Sequence, residues 1–184
     1  REIDKMNRLR EKYNKEIVPK IQKEFNLSNK MEVPRIEKIS INAGTGDFRE
    51  NKEAVESFVH DLTQLAGQKP SPRKARLSEA GFKIRKGDIV GYNVTLRGER
   101  MWAFLDKFIS VALPRVRDFR GLKATAFDTN GNYSTGIKEH VIFPEVNPNT
   151  TKGIRHMQVT VVLSSKNKDM NAALLREMNM PFKK

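Results

Sequence analysis

Residues 35–42 read Arg35-Ile36-Glu37-Lys38-Ile39-Ser40-Ile41-Asn42. Ile39 and Ile41 share one parity, and Lys38, Ser40 and Asn42 share the other. An apolar and polar alternation of period two is a half-buried β-strand, apolar face toward a core and polar face left open. Val33-Pro34 opens the strand, since a proline at the start of a strand withholds no donor that the ladder needs, and Gly44-Thr45-Gly46 ends it.

Outward from this strand the pattern changes to helical spacing. From Asp4 to Phe25 the apolar positions Met6, Leu9, Tyr13, Ile17, Ile21 and Phe25 step by three or four, the stripe of an amphipathic helix, with a kink expected at Pro19. A second helix, 51–66, places Val55, Phe58, Val59, Leu62 and Leu65 on one side. Gly67 follows as its C-cap and Pro70 soon after. Two candidate strands, 73–77 and 82–86, precede a turn at Gly87-Asp88, and 90–96 is a strand with Val94 and Leu96 inward and Asn93, Thr95 and Arg97 outward. A third helix, 99–113, stops at Pro114. Loops rich in Gly, Asp and Asn follow, then short strands at 133–137 and 158–163 and a last helix over 168–178. Several strands are joined by short turns. The pattern predicts an α+β fold, an antiparallel or mixed sheet with helices packed on one face, an open face for a partner, and a protruding basic β-hairpin over 72–86. At 184 residues the chain is expected to form a single domain, 1–184.

Thirty-five Lys and Arg against 22 Asp and Glu leave a net charge of +13, and the chain has no cysteine. Disulfide scaffolds, thiolate zinc sites and cysteine nucleophiles are therefore excluded. So large an excess opposes compaction through self-repulsion and calls for a polyanionic partner. The longest apolar stretches, 108–113 and 159–163, fall far short of the roughly 20 residues of a membrane helix. The opening Arg1-Glu2-Ile3-Asp4 lacks the apolar core of a secretory signal, so no membrane role is expected.

The search for catalytic chemistry is negative: no catalytic residue, metal site or cofactor is expected. Gly44-Thr45-Gly46-Asp47-Phe48-Arg49 follows a strand and precedes a helix, as a dinucleotide loop does, but Arg49 stands where the third glycine belongs, and a turn-forming glycine pair is the plainer reading. His60, His140 and His156 have no metal-ligand spacing.

The positive signal is basic. Residues 69–86 read KPSPRKARLSEAGFKIRK and hold Lys69, Arg73, Lys74, Arg76, Lys83, Arg85 and Lys86 against the single acid Glu79, an arm suited to phosphate backbones. Beside it, Lys38 and Asn42 on one strand and Thr95 and Arg97 on another pair cations with neutral hydrogen-bonding groups, as RNA recognition requires. No outward aromatic pair offers a stacking platform, so recognition of backbone and shape is expected. Arg115-Val116-Arg117-Asp118-Phe119-Arg120 is a second basic turn, suited equally to RNA or to a protein.

Blocks along the chain resemble the large-subunit ribosomal protein L five family in its bacterial or organellar form: Val33-Pro34-Arg35-Ile36-Glu37-Lys38, Ala66-Gly67-Gln68-Lys69-Pro70, Val94-Thr95-Leu96-Arg97-Gly98-Glu99-Arg100-Met101, 113–121, Gly136-Ile137-Lys138-Glu139 and Ile142-Phe143-Pro144-Glu145, in order from Met6 onward. The resemblance implies a non-enzymatic, cytoplasmic or organellar ribosomal protein that anchors 5S rRNA in the central protuberance. It implies that Lys38, Asn42, Gln68, Lys69, Thr95 and Arg97 meet 5S rRNA. It implies that Arg73, Lys74, Arg76, Lys83 and Arg85 of the hairpin contact the P-site tRNA. Arg115, Arg117, Asp118, Arg120 and Lys138 would face a small-subunit head protein of the S thirteen family. 23S-type rRNA and other 5S rRNA-binding ribosomal proteins are the further partners implied. Pro72, Glu79 and His140 depart from the family pattern, and residues 1–5 read as an N-terminal extension or an alternative start.

Overall fold

The computed structural model describes residues 7–148 and 151–183, so the expected extension at 1–5 lies outside the described residues. Five strands form one sheet: β1 (Ile36–Gly44), β2 (Ser71–Lys74), β3 (Ile89–Leu96), β4 (Tyr133–Ile137) and β5 (Met157–Leu163), in the spatial order β2-β3-β1-β5-β4. The sheet is antiparallel throughout, not mixed. The Thr45 N–H donates to the Val90 carbonyl at 3.1 Å, placing the end of β1 beside the start of β3. The Ser164 N–H donates to Arg35 at 3.0 Å, placing the end of β5 beside the start of β1.

Among the described residues five α-helices accompany the sheet: α1 (Arg8–Lys12), α2 (Val18–Glu24), α3 (Lys52–Ala66), α4 (Gly98–Lys107) and α5 (Lys168–Glu177). Asparagines start three of them. Asn7, Asn51 and Asn167 each accept a backbone N–H of the first turn, for instance Ala54 N–H to Asn51 Oδ1 at 3.1 Å. Gly67 closes α3 in the left-handed conformation at φ 63°, as its position after the last apolar residue foretells.

Pro19 does not break its helix. The turn before it, Tyr13–Ile17, is π-helical, with the Val18 N–H reaching back five residues to Tyr13. Pro114 is preceded in the same way by the π-helical turn Phe108–Ala112, after which Leu113–Arg115 is a 3-10 turn. Widening the turn by one residue re-pairs the backbone where the proline withdraws its donor, so the helix bulges locally.

Contacts divide the chain into two interleaved compact units. One holds the described residues up to Ile39 with Arg97–Thr135 and those from Thr160 onward; the other holds Ser40–Leu96 and Gly136–Val159. In the first, Ile17, Ile21, Leu105, Phe108, Tyr133, Leu174 and Leu175 are buried, and ion pairs Arg8–Asp106 and Lys20–Glu177 tie α1 to α4 and α2 to α5. In the second, Ile41, Ala43, Phe58, Leu62, Leu65, Val94, Leu96 and Phe143 form the core, and α3 packs on β3.

The expected pair of hairpin strands, 73–77 and 82–86, does not form in that register. β2 pairs instead with β3, from Ser71 opposite Asn93 to Lys74 opposite Ile89, with a bulge between Arg73 and Lys74. Beyond it are one isolated bridge, Glu79 with Ile84, and a 3-10 turn over Ala80–Phe82. The reason lies in the residues: Leu77 and Phe82 are exposed at 81% and 74%, and nothing buries an apolar side along 76–86. A two-stranded ribbon without a covered face is marginal in water. Pro72 sits on an edge strand, where a missing donor costs little.

Candidate nucleic-acid interface

The polar parity of β1 and β3 builds a hydrogen-bonded row within the second unit. Asn93 is its centre. Its Nδ2 donates to Ser40 Oγ at 2.9 Å, and its Oδ1 accepts from Arg73 Nη2 and from Thr95 Oγ1, each at 3.3 Å. Gln68, in the loop just past α3, donates from Nε2 to the Thr95 carbonyl at 3.4 Å. Asn42 is exposed and its side chain makes no hydrogen bond among the described residues, and Lys69 is exposed beside Gln68. Of the residues expected to meet RNA, the fold thus gathers Asn42, Gln68, Lys69 and Thr95 and adds Arg73, whose guanidinium turns back onto Asn93 instead of serving the arm's tip. In the first unit the hydroxyls of Ser134 in β4 and Thr160 in β5 also meet, at 3.0 Å. Lys38, half-buried, has the outward parity of β1, and Arg97 is exposed immediately before α4.

The arm leaves this row at Lys74. Ala75 and Gly87 still pair across it, through Gly87 N–H to Ala75 at 3.0 Å and Ala75 N–H to Asp88 at 2.8 Å. Arg76, Lys83, Arg85 and Lys86 beyond that point are exposed. Asp88 Oδ2 accepts the Arg85 N–H at 2.9 Å, and Ser78 Oγ accepts the Lys86 N–H at 2.9 Å.

Arg115, Arg117, Asp118 and Arg120 are exposed around the end of the 3-10 turn, with Asp118 left-handed at φ 50°. Lys138, also exposed, follows β4 in the other unit.

A buried His–Asp pair in the second unit has an enzyme-like look and a structural job. His140 is fully buried, and its Nε2 lies 3.3 Å from Asp61 Oδ2, which also accepts the Thr151 hydroxyl at 2.7 Å. The other ring nitrogen, Nδ1, accepts the Arg155 N–H at 3.1 Å, which assigns the ring proton to Nε2. Nε2 therefore ties this segment to α3 through Asp61, and Nδ1 ties it to the backbone of Arg155. Burial pulls the imidazole below the ordinary histidine range, against the raising effect of Asp61. Among the described residues no three His, Cys, Asp or Glu side chains are grouped to hold a metal, and no helix is long and apolar enough to cross a membrane.

Residues 29–85 match the family Ribosomal protein L5, and residues 89–182 match the model of that ribosomal family's C-terminus. The chain belongs to the ribosomal protein L5 family. A similar protein, the large ribosomal subunit protein uL5 of Thermoanaerobacter sp. (strain X514), is 50% identical over 179 residues, covering 97% of this chain and all of that relative. Family membership makes this a structural, RNA-binding ribosomal protein and not an enzyme. Gly44 ends β1 and Gly46 begins the turn that follows, and Thr45 between them is buried and bonded to β3.

Two residues of the polar row, Ser40 and Asn93, were not among the expected contacts, although the parity of their strands places both outward. Which cation would reach back to Asn93 has no sequence signal, because β2 has no apolar side to set its register.

Proposed function

We propose that this member of the family, a constituent of the large ribosomal subunit, holds 5S rRNA against the open polar row. The arm over 72–86 reaches the P-site tRNA. Arg115, Arg117, Asp118, Arg120 and Lys138 meet the small-subunit head protein of the S thirteen family, and 23S-type rRNA and other 5S rRNA-binding proteins lie alongside. The observation that carries the reading is the Asn93-centred row, in which neutral amides and hydroxyls sit beside Arg73 on a face with no aromatic strip. Neutral groups of this kind suit 2′-hydroxyls and base edges, and Lys and Arg suit the phosphates. The arm offers cations with almost no opposing carboxylate and no row of neutral groups, which suits a backbone contact.

The division of labour is testable with two variants. Asn42→Ala combined with Thr95→Ala should weaken 5S rRNA binding by about a hundredfold, which is about 2.7 kcal/mol. Arg76→Gln, Lys83→Gln and Arg85→Gln together should spare 5S rRNA binding and weaken crosslinking to P-site tRNA in assembled ribosomes. Equal loss of both contacts in both variants contradicts the division.

A further inference from the structure

The arm's tip carries its own paradox: residues 76–86 have one bridge, one 3-10 turn and no buried side, yet the tip has a defined backbone, with Lys83 left-handed at φ 52°. Its internal bonds, Glu79 N–H to Ile84 at 2.8 Å and Lys83 N–H to Ala80 at 3.0 Å, shape the tip but do not attach it to anything. The attachment comes from another segment. Arg49, in the turn between β1 and α3, extends its guanidinium to the arm, where Nη2 donates to the carbonyl of Phe82 at 3.1 Å and also to that of Lys83. Nη1 beside it is buried and has no acceptor among the described residues, so the end of the side chain is enclosed where it grips. These two carbonyls close the 3-10 turn, at its last residue and its C-cap, where the helix leaves its carbonyls without internal donors, and a cation is the natural cap for such a pair.

The turn that presents Arg49 is itself fixed. The Phe48 N–H bonds Thr45 at 3.2 Å and the Asn51 N–H bonds Phe48 at 3.0 Å. The Phe48 ring meets Phe58 edge-on with centroids 5.6 Å apart, and the Arg155 guanidinium lies 3.7 Å over its face. Arg155 is in turn bonded through its backbone to His140. The second unit's core is thus connected to the arm tip through Phe48 and Arg49.

We infer that Arg49 is a positioning residue that latches the tip of the basic arm to the β1–α3 turn and sets the arm's pose before it meets RNA. Its gain to binding is pre-organisation: an arm already posed loses less freedom when it docks. The inference rests on the proposed tRNA contact only for its consequence in binding. The latch itself is a property of the free protein.

Because the chain has no cysteine, Leu77→Cys and His60→Cys give two clean spin-label sites, one on the arm and one on the exposed side of α3. The inter-label distance distribution of the full chain should be narrow, and Arg49→Ala should broaden it about twofold, as expected when a segment loses its tertiary anchor. In ribosomes, Arg49→Ala should lower tRNA crosslinking by about tenfold, equivalent to one strong charge-assisted contact, with 5S rRNA affinity unchanged. Lys52→Ala removes the same charge from an exposed neighbour and should alter neither readout. An unchanged distance distribution in Arg49→Ala overturns the latch, as does an equal loss of crosslinking in Lys52→Ala. Broadening with tRNA crosslinking intact supports the latch and contradicts the tRNA assignment of the arm. Should Arg49→Ala fail to fold, the unmutated protein decides: slowed rotation of the Arg49 guanidinium in nitrogen NMR supports the latch, and free rotation overturns it.

Discussion

Replacing Asn93 separates what the polar row does for the fold from what it does for RNA. Asn93→Ala deletes three hydrogen bonds, to Ser40, Arg73 and Thr95. A net bond contributes about 0.5–1.5 kcal/mol, but two of these are long and all lie on a half-exposed face where water replaces them. The expected loss is about 1–2 kcal/mol in a urea titration, with the slope unchanged because the core is untouched. Asn93→Asp is the informative partner. A carboxylate there still accepts from Arg73 and Thr95, so stability should fall by less than in the alanine variant. It also sets a negative charge in the middle of the proposed RNA face, and 5S rRNA affinity should fall by more than in the alanine variant, most steeply at low salt where screening is weak. The opposite ordering of the two variants in stability and in binding is the signature. If Asn93→Asp binds 5S rRNA as tightly as the unmutated protein, the row does not face phosphates and the reasoning fails.

Two other perturbations address the fold that carries the row. The folded chain takes up the His140 proton at lower pH than the unfolded chain, so the stability held by this group is full above about pH 6.5 and is lost as pH falls toward the folded value, by up to about 1.4 kcal/mol per pH unit. His140→Gln should flatten the dependence between pH 7 and 5 in urea titrations, and an unaltered slope would refute the assignment. Gly131, at φ 82°, has no room for a side chain: an added Cβ would collide with the Ser165 carbonyl and lie 2.6 Å from Asn171 Nδ2. Asn171 Nδ2 donates to both the Gly131 and Ser165 carbonyls, so Gly131→Ala should cost about 2–5 kcal/mol in thermal unfolding from strain and displaced packing together, whereas Gly44→Ala, with open space around it, should cost far less.

Much of this was legible in the residues. The alternation through Ile39, Ser40, Ile41 and Asn42 identifies a strand with an open polar side, and the structure keeps that division from 38 to 44. Asn51 and Gly67 bracket α3 as cap chemistry requires. Period-two and period-3.6 patterns report burial, and these elements bury one side. The arm has no buried side, so its strands had no pattern to report, and the register of β2 on β3 is decided by tertiary pairing. For the same reason the grip of Arg49 on two backbone carbonyls and the clasp of His140 between Asp61 and Arg155 were hidden. Each joins residues far apart in sequence, and a backbone acceptor leaves no mark on residue type. The π-helical turns before Pro19 and Pro114 show a further limit, since proline announces a lost bond but not how the backbone recovers it.

On the proposed reading, the open polar row recognises one RNA and not polyanions in general. A competition titration at near-physiological salt tests it directly: labelled 5S rRNA bound to the protein is displaced by unlabelled 5S rRNA, by tRNA, or by unrelated RNA of matched length. A preference for 5S rRNA of about a hundredfold, or about 2.7 kcal/mol, that disappears in the combined Asn42→Ala and Thr95→Ala variant is the predicted result. Equal displacement by every RNA would reduce the interaction to its +13 charge and contradict the account.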